Sequence, residues 1–416
     1  MSVDKATSPR IPALDGVRGV AILLVITCHI SERFQFSNVY LQCIKAFAFA
    51  GWTGVDLFFV LSGFLITGIL WDSRGSSTFF RNFYARRTIR IFPLYYATLA
   101  ILFIFLPATT PNHVMTRGWL AALELAPSYW AWYFTYFVDV LIALKGFVVT
   151  GGHFWTLAVE EHFYLVWPVL VYKLSRRTLK SLSISLIVAA LALRLAMVIY
   201  DVAPTAIYVL TPCRMDGLAL GAFLALTVRD PNGLQTLVRL ARLVLPASAL
   251  IWLTLMCIQG EWSQYGIIPQ TVGYLVTELF YGSVLVLTLA SNRLAAVASA
   301  RPLRFLGKIS YALYVFHVFV VLLAAPFFAL GDASHYSIVF ALITRLGGEL
   351  HAPGALLLLL DALVYVAVSV GVSIGIAVLS WYTLELPCLR LRCFFPYARK
   401  NAAENVLETS HAVRAY

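Results

Sequence analysis

Charged residues are the scarcest class in this sequence of 416 residues. Only 12% of the residues are Asp, Glu, Lys or Arg, whereas 61% are hydrophobic. A soluble domain of this length needs far more charge, because it must cover its core with polar surface. The shortage excludes an ordinary soluble domain and favours a chain whose surface meets lipid.

Three further features are missing. The six cysteines are scattered over apolar and basic segments, so they imply no disulfide framework. The first apolar stretch is not followed by a small-residue cleavage site, and we expect a retained first span rather than a removed signal peptide. We find no internal repeat, which disfavours transporter folds built from inverted halves.

Long apolar runs are what the sequence has in abundance. Runs of about 18 or more residues are long enough to cross a bilayer. Backbone groups in lipid must bond internally, so such runs form helices. The sequence therefore predicts an all-α fold, a polytopic transmembrane bundle of about ten spans. The predicted spans are 13–31, 47–71, 88–107, 152–172, 181–200, 206–228, 243–259, 267–291, 306–329 and 356–380.

The basic residues are distributed unevenly between alternate loops. Of the 31 Lys and Arg residues, 23 fall in the set of loops that includes both termini and 5 fall in the opposite set. Cytoplasmic loops carry the excess of positive charge, so both termini are predicted to be cytoplasmic. The net charge of +11 then requires anionic membrane lipids as its counter-charge and no nucleic acid.

The chain is organised as one membrane domain. We expect a cytoplasmic N-terminal segment at 1–12, a membrane domain at 13–388 and a polar cytoplasmic tail at 389–416, too short for an appended soluble domain. An outer loop is expected at 330–355. Another, at 108–151, is rich in aromatic residues, as is typical of the membrane interface, and its apolar part 131–144 is interpreted as interfacial or re-entrant.

Ionisable side chains at bilayer depth mark functional pathways or internal pairs. In the first span, Arg18 and His29 are eleven positions apart, close to three helical turns. They share a helix face but lie roughly 16 Å apart along the axis. Desolvation favours a neutral imidazole, which suits His29 as a general base. The alternative is that a neighbouring helix satisfies each side chain.

Carboxylates enter two other spans. Asp56 follows Gly54 near the expected outer end of the second span, where it either orients a hydroxyl or a histidine or serves only packing. Glu160 and Glu161 are adjacent in the fourth span, which is hard to explain structurally. One of these two is expected to meet His29 on the outer side of the bundle.

Two arginine pairs have different interpretations. Arg87 and Arg90 are one turn apart at a membrane mouth, a spacing that suits phosphate binding, with ordinary cytoplasmic charge as the alternative. Arg214 and Asp216 are interpreted as a local ion pair.

Six strings in one order resemble the integral-membrane acyltransferase type 3 family. That family includes O-antigen and peptidoglycan O-acetyltransferases, nodulation-factor acetylases and macrolide acyltransferases. Relatives often carry Gln where this chain has His162. The matching strings are Arg18 with His29; Phe58, Phe59, Ser62 and Gly63; Arg87, Arg90, Pro93 and Tyr95; Trp155, Thr156, Leu157 and Glu160; Ser310, Tyr311 and His317; and Tyr382, Glu385 and Pro387.

The resemblance implies an acyl-CoA donor, usually acetyl-CoA, and transfer to a hydroxyl, with no metal. Arg87 and Arg90 would hold the nucleotide phosphates, and the pantetheine arm would pass Arg18. His29 would act as general base, oriented by Glu160 or Asp56, or would carry the acyl group transiently; both remain open.

The expected acceptor is a carbohydrate, such as a surface polysaccharide or lipid-linked glycan. The expected location is the bacterial inner (plasma) membrane. Alternatives are a macrolide or small-metabolite acceptor and, from another class, a secondary transporter or lipid-linked sugar flippase.

Overall fold

The protein is almost entirely helical. A computed structural model describes residues 11–35, 38–105, 127–147, 151–259, 263–328, 339, 342, 343, 345 and 354–397. Of these residues, 88% are helical. The described part of the chain contains no β-strand, as the predicted all-α class requires.

Seventeen α-helices account for most of the described chain. In order they are α1 (Pro12–Ser31), α2 (Val39–Phe49), α3 (Gly54–Ser73), α4 (Phe79–Ala100), α5 (Trp130–Phe134), α6 (Val138–Lys145), α7 (Trp155–Lys173), α8 (Arg176–Ile199), α9 (Pro204–Val209), α10 (Thr211–Val228), α11 (Gly233–Gln259), α12 (Tyr274–Ala290), α13 (Asn292–Ala298), α14 (Arg301–Lys308), α15 (Ser310–Ala324), α16 (Gly354–Ser380) and α17 (Leu386–Arg390).

Each of the ten predicted spans overlaps a helical segment. Within the described ranges, nine segments are long and apolar enough to cross a membrane: Pro12–Ser31, Val39–Ser73, Phe79–Phe105, Arg176–Ile199, Pro204–Val228, Gly233–Ile258, Pro269–Ala290, Ser310–Phe327 and Leu359–Phe394. The predicted span 152–172 corresponds to α7. This helix is long enough to cross a membrane, but its Glu-Glu-His run makes it less apolar than the nine segments. The protein is therefore a polytopic helical membrane protein.

Glycines bring α3 and α10 into close contact. A Cβ atom at Gly63 would lie 2.0 Å from the carbonyl oxygen of Leu218, and one at Gly221 would lie 2.0 Å from the carbonyl oxygen of Val60. No larger residue fits either place without separating the helices. Small residues at helix crossings allow this dense packing in membranes.

Several loops of the basic set meet at one end of the bundle. Arg74, after α3, donates to the carbonyl oxygen of Leu174, after α7, at 2.7 Å. Arg229, after α10, pairs with Asp72 at 2.6 Å. These contacts agree with the alternation that the distribution of Lys and Arg predicts.

Parts of the predicted outer loops lie outside the described residues. This applies to 106–126 and 148–150 in the first loop and to most of 330–355; the predicted cytoplasmic tail is likewise outside them from 398 onward. The short apolar stretch 131–144 is described, and it forms α5 and α6, separated by a break at Tyr136 with a φ of 60°.

Candidate active site

A polar pocket opens between the helices that carry the motif residues. Its empty volume is about 680 Å³, with the open mouth included. Five helices, α1, α3, α4, α7 and α15, line it. The lining residues that carry polar groups are Arg18, Ser62, Arg87, Arg90, Thr156, Glu160, Tyr164, Ser310, Tyr311 and Tyr314.

Glu160 is the carboxylate of this pocket. It lies in the second turn of α7, and the hydroxyl of Ser62 on α3 donates to its Oε1 at 2.5 Å. Ser62 thus uses its hydroxyl across the helix interface and does more than permit close packing. A carboxylate has about four acceptor positions, so the hydrogen bonds from Ser62 and Tyr164 leave it with capacity for a ligand.

The three arginines predicted to bind a donor line the same pocket. Arg18 extends from α1 and has Asp15, one turn earlier, at 3.6 Å. Arg87 and Arg90 extend from α4, and the guanidinium of Arg87 lies 4.8 Å from the ring centre of Tyr164. Three guanidiniums around one cavity form an anion-attracting site.

His29 lies beyond the pocket. It is half-buried near the end of α1 and does not belong to the residues that line the cavity. Its Nδ1 is 2.9 Å from the carbonyl oxygen of Val25 and 3.4 Å from Nε2 of His317 on α15. His153 packs against His317 in turn, with ring centres 5.6 Å apart.

The structure does not bring His29 to either carboxylate that we expected to orient it. Glu160 lies seven residues after His153, which is roughly 10 Å further along the helix direction. Since His153 is at the level of His317, Glu160 lies deeper in the bundle than the outer position that we predicted. Asp56 is occupied elsewhere, by Arg214.

Tyr314 joins the pocket to the histidines. Its hydroxyl donates to the carbonyl oxygen of His153 at 2.7 Å and is 2.5 Å from the hydroxyl of Thr156. Its ring centre is 5.7 Å from that of His317. Tyr314 also lines the pocket, so its side chain contacts both the arginine-lined cavity and the histidine cluster.

A second group of buried charges, the ion-pair cluster, lies on α3, α8, α10 and α12. Its members are Asp56, Arg194, Arg214, Asp216 and Glu278, all with 0% exposure. Asp56 pairs with Arg214, and Asp216 pairs with Arg194 at 2.5 Å. The expected local pair between Arg214 and Asp216 is wrong, because residues two positions apart point to different sides of a helix.

Several pocket residues were not singled out from the sequence. Tyr164 is four residues after Glu160, so helical spacing alone could have found it. Tyr314 carried no such signal, because its contact with Thr156 depends on how α7 and α15 pack. Among the described residues, no group of three or more His, Cys, Asp or Glu side chains is placed to hold a metal ion.

Comparison with known proteins agrees with the helical architecture and the motif set. The profile of the Acyl_transf_3 family, described as an acyltransferase domain, matches residues 11–381. This match covers most of the chain, which therefore belongs to that acyltransferase family. A comparison with solved structures finds no significant match.

Bacterial proteins are among the relatives. YrhL of Bacillus subtilis is 29% identical over 363 residues, covering 80% of this chain and 52% of the relative. O-acetyltransferase OatA of Staphylococcus aureus is 27% identical over 363 residues, covering 84% and 57%. Peptidoglycan O-acetyltransferase OatA of Listeria monocytogenes is 29% identical over 329 residues, covering 76% and 50%. The chain thus spans about half the length of these relatives.

Proposed function

We propose that this chain is a membrane O-acyltransferase that moves an acetyl group from acetyl-CoA to a hydroxyl of a carbohydrate. The observation that carries the proposal is the pocket, where three guanidiniums and the Glu160 carboxylate surround one cavity in an apolar bundle. Ionisable groups at membrane depth face cavities and mark substrate pathways. The family match and the names of the relatives support the reaction class.

The donor's phosphates are assigned to the part of the pocket lined by α4. Arg87 and Arg90 are one turn apart, and guanidiniums bind phosphate oxygens in a forked geometry. Arg86 adds charge nearby and is held by the C-terminal segment, since it donates to the carbonyl oxygens of Arg392 and Phe395 at 3.3 and 3.0 Å. The guanidinium of Arg392 also lies beside Arg86 on α4.

The remainder of the pocket suits the pantetheine arm. Val55, Phe58 and Ile91 supply apolar walls, and Glu160 supplies an acceptor for an amide N–H of that arm. Arg18 lies along the same cavity. The thioester then points toward Tyr314, on whose far side His317 and His29 lie.

The chemical step requires one base and one nucleophile. The acceptor oxygen attacks the thioester carbonyl, a C–O bond forms and the C–S bond breaks. His29 takes the hydroxyl proton and passes it to the departing sulfur, which leaves as the free thiol. In the second route that the residues permit, His29 attacks first and carries the acetyl group to the acceptor.

The acceptor is assigned to the side opposite the basic loops. A relative is named a peptidoglycan O-acetyltransferase, which supports a cell-envelope carbohydrate and a location in the bacterial plasma membrane. A macrolide or small metabolite remains the second acceptor class. Mass spectrometry of surface glycans from cells with and without the protein separates them, because loss of one acetyl group per modified sugar is expected only for the carbohydrate.

The decisive test of the reaction class uses purified protein and acetyl-CoA labelled in the acetyl group. We expect release or transfer of label by the wild type and loss of it in His29→Ala. His162→Gln is the matched control, because it removes a histidine that does not line the pocket. The side chain of His162 bonds to Thr211 instead. A transporter or flippase would release no label, and equal activity of His29→Ala and wild type would refute the role of His29.

A further inference from the structure

Two histidines from distant parts of the chain meet edge to face. His29 is near the end of α1 and His317 is in the middle of α15. Their ring centres are 4.9 Å apart, with 79° between the ring planes. Nδ1 of His29 faces Nε2 of His317 at 3.4 Å, slightly longer than a typical N–H hydrogen bond. Among the residues that the structure describes, no carboxylate takes this place beside His29.

Backbone carbonyls determine which nitrogen of each ring carries the hydrogen. A carbonyl oxygen can only accept, so a ring nitrogen that bonds to one must be the N–H donor. Nδ1 of His29 is 2.9 Å from the carbonyl oxygen of Val25. Neutral His29 therefore carries its hydrogen on Nδ1, and its Nε2 is the unprotonated atom.

The same argument applies to His317 with two acceptors. Its Nδ1 is 2.9 Å from the carbonyl oxygen of Leu313 and 2.8 Å from that of Tyr314. Its Nε2 is then unprotonated, and this is the atom that faces Nδ1–H of His29. The hydrogen bond between the two rings therefore has a single possible direction, in which Nδ1–H of His29 donates and Nε2 of His317 accepts.

Burial separates the roles of the two rings. His317 has 0% exposure, whereas His29 is half-buried. The rings of His29, His153 and Tyr314 pack against His317, and with no exposed surface His317 cannot touch a substrate unless a neighbour moves. His29 alone is placed to touch a substrate, and His317 can act only through it.

We propose that His317 is a positioning residue for His29. Its Nε2 is a second acceptor, beside the Val25 carbonyl, for the Nδ1–H of His29, and it helps to orient the ring with its unprotonated Nε2 ready to take the acceptor's hydroxyl proton. When His29 holds that proton, the lone pair on Nε2 of His317 stabilises the imidazolium by accepting its Nδ1–H, while His317 itself stays neutral. The inference rests on the proposed acetyl transfer for its kinetic consequence but not for the tautomer assignment.

Two substitutions at His317 test the kinetic part. The side-chain oxygen of His317→Gln reaches the place of Nε2 and preserves the acceptor, whereas His317→Asn reaches only the place of Nδ1. We expect His317→Asn to lower kcat about tenfold to a hundredfold, as for the loss of a hydrogen bond to a charged group, with KM for acetyl-CoA unchanged. His317→Gln should retain most of the rate. Equal rates in both variants and the wild type overturn the proposal.

A spectroscopic readout tests the pair without any substrate. In wild-type protein with ¹⁵N-labelled histidine, the signals that disappear in His29→Ala belong to His29. We expect a protonated Nδ1 and an unprotonated Nε2 at neutral pH, and the reverse tautomer overturns the proposal. A wild type that transfers no acetyl group refutes the proposed function instead, and the spectrum then decides the tautomer assignment alone.

Discussion

The pocket and the ion-pair cluster both place several charges inside an apolar bundle, but they treat those charges differently. In the cluster, every side chain is fully buried and Asp56 and Asp216 are each matched by a guanidinium, whereas Glu278 has no hydrogen-bond partner among the described residues. In the pocket, Arg18, Arg87 and Glu160 are only half-buried and face a shared cavity. Charges that satisfy one another hold helices together, whereas charges that face a cavity can bind a ligand.

The two regions are coupled through α3. This helix carries Asp56 of the ion-pair cluster in its first turn and Ser62 of the pocket less than two turns later. The close contact at Gly63 fixes α3 against α10, the helix of Arg214. The cluster thus fixes the helix that presents Ser62 to Glu160. We expect substitutions in the ion-pair cluster to lower stability and substitutions in the pocket to change the kinetics with the substrate.

The largest expected effect is on stability, in Arg214→Met. Removal of this guanidinium leaves Asp56 buried without its ion pair, which costs about 3–5 kcal/mol in comparable cases. We expect a strongly lowered Tm of the detergent-purified protein, and substantial recovery when Asp56→Asn is added. An Arg214→Met variant that is as stable as the wild type would contradict a structural role for the cluster.

The next largest effect is on substrate binding, in Arg87→Gln and Arg90→Gln. Loss of a charge-assisted bond to phosphate should raise KM for acetyl-CoA roughly tenfold to a hundredfold. Tm should stay near that of the wild type, because both side chains border a cavity. Arg81→Gln is the control, since Arg81 is exposed on the same helix and bonds to Asn82. An unchanged KM for acetyl-CoA in both variants would refute the proposed phosphate site.

The smallest effect is expected from Ser62→Ala. This change removes one hydrogen bond to Glu160, and water in the pocket replaces part of it. We expect kcat/KM to fall about threefold to tenfold, corresponding to roughly 1 kcal/mol. Ser62→Thr keeps the hydroxyl and is the control for the bond itself. A fall in Tm comparable to that of Arg214→Met would place Ser62 with the structural residues instead.

Hydrophobicity alone was enough to predict the spans but not their limits. The third span was expected to begin at 88, whereas α4 begins at Phe79 and includes Arg81, Arg86 and Arg87. The second was expected from 47, whereas its helical segment begins at Val39. Helices that leave the apolar layer lose the hydropathy signal while their backbone hydrogen bonds continue, so composition cannot locate their ends.

The residues of the pocket were easier to predict from the sequence than the partners of His29 and Asp56. Arg18 and Glu160 were predicted from charge inside the spans, and Arg87 and Arg90 from their one-turn spacing at a membrane mouth; the structure places all four around one cavity. The partner of His29 was not predictable, because which helix faces α1 at that level is a property of packing. The same holds for Asp56, whose guanidinium comes from a residue 158 positions away.

The claim on which the account depends is that the pocket takes the acyl-CoA donor. A photoreactive analogue of acetyl-CoA, with its reactive group on the acyl end, tests this by mass spectrometry of the labelled peptides. We expect label on α7 near Glu160 and on α15 near Tyr314, and we expect excess CoA to prevent it. Label confined to the helices of the ion-pair cluster, or label that CoA does not displace, would contradict the account.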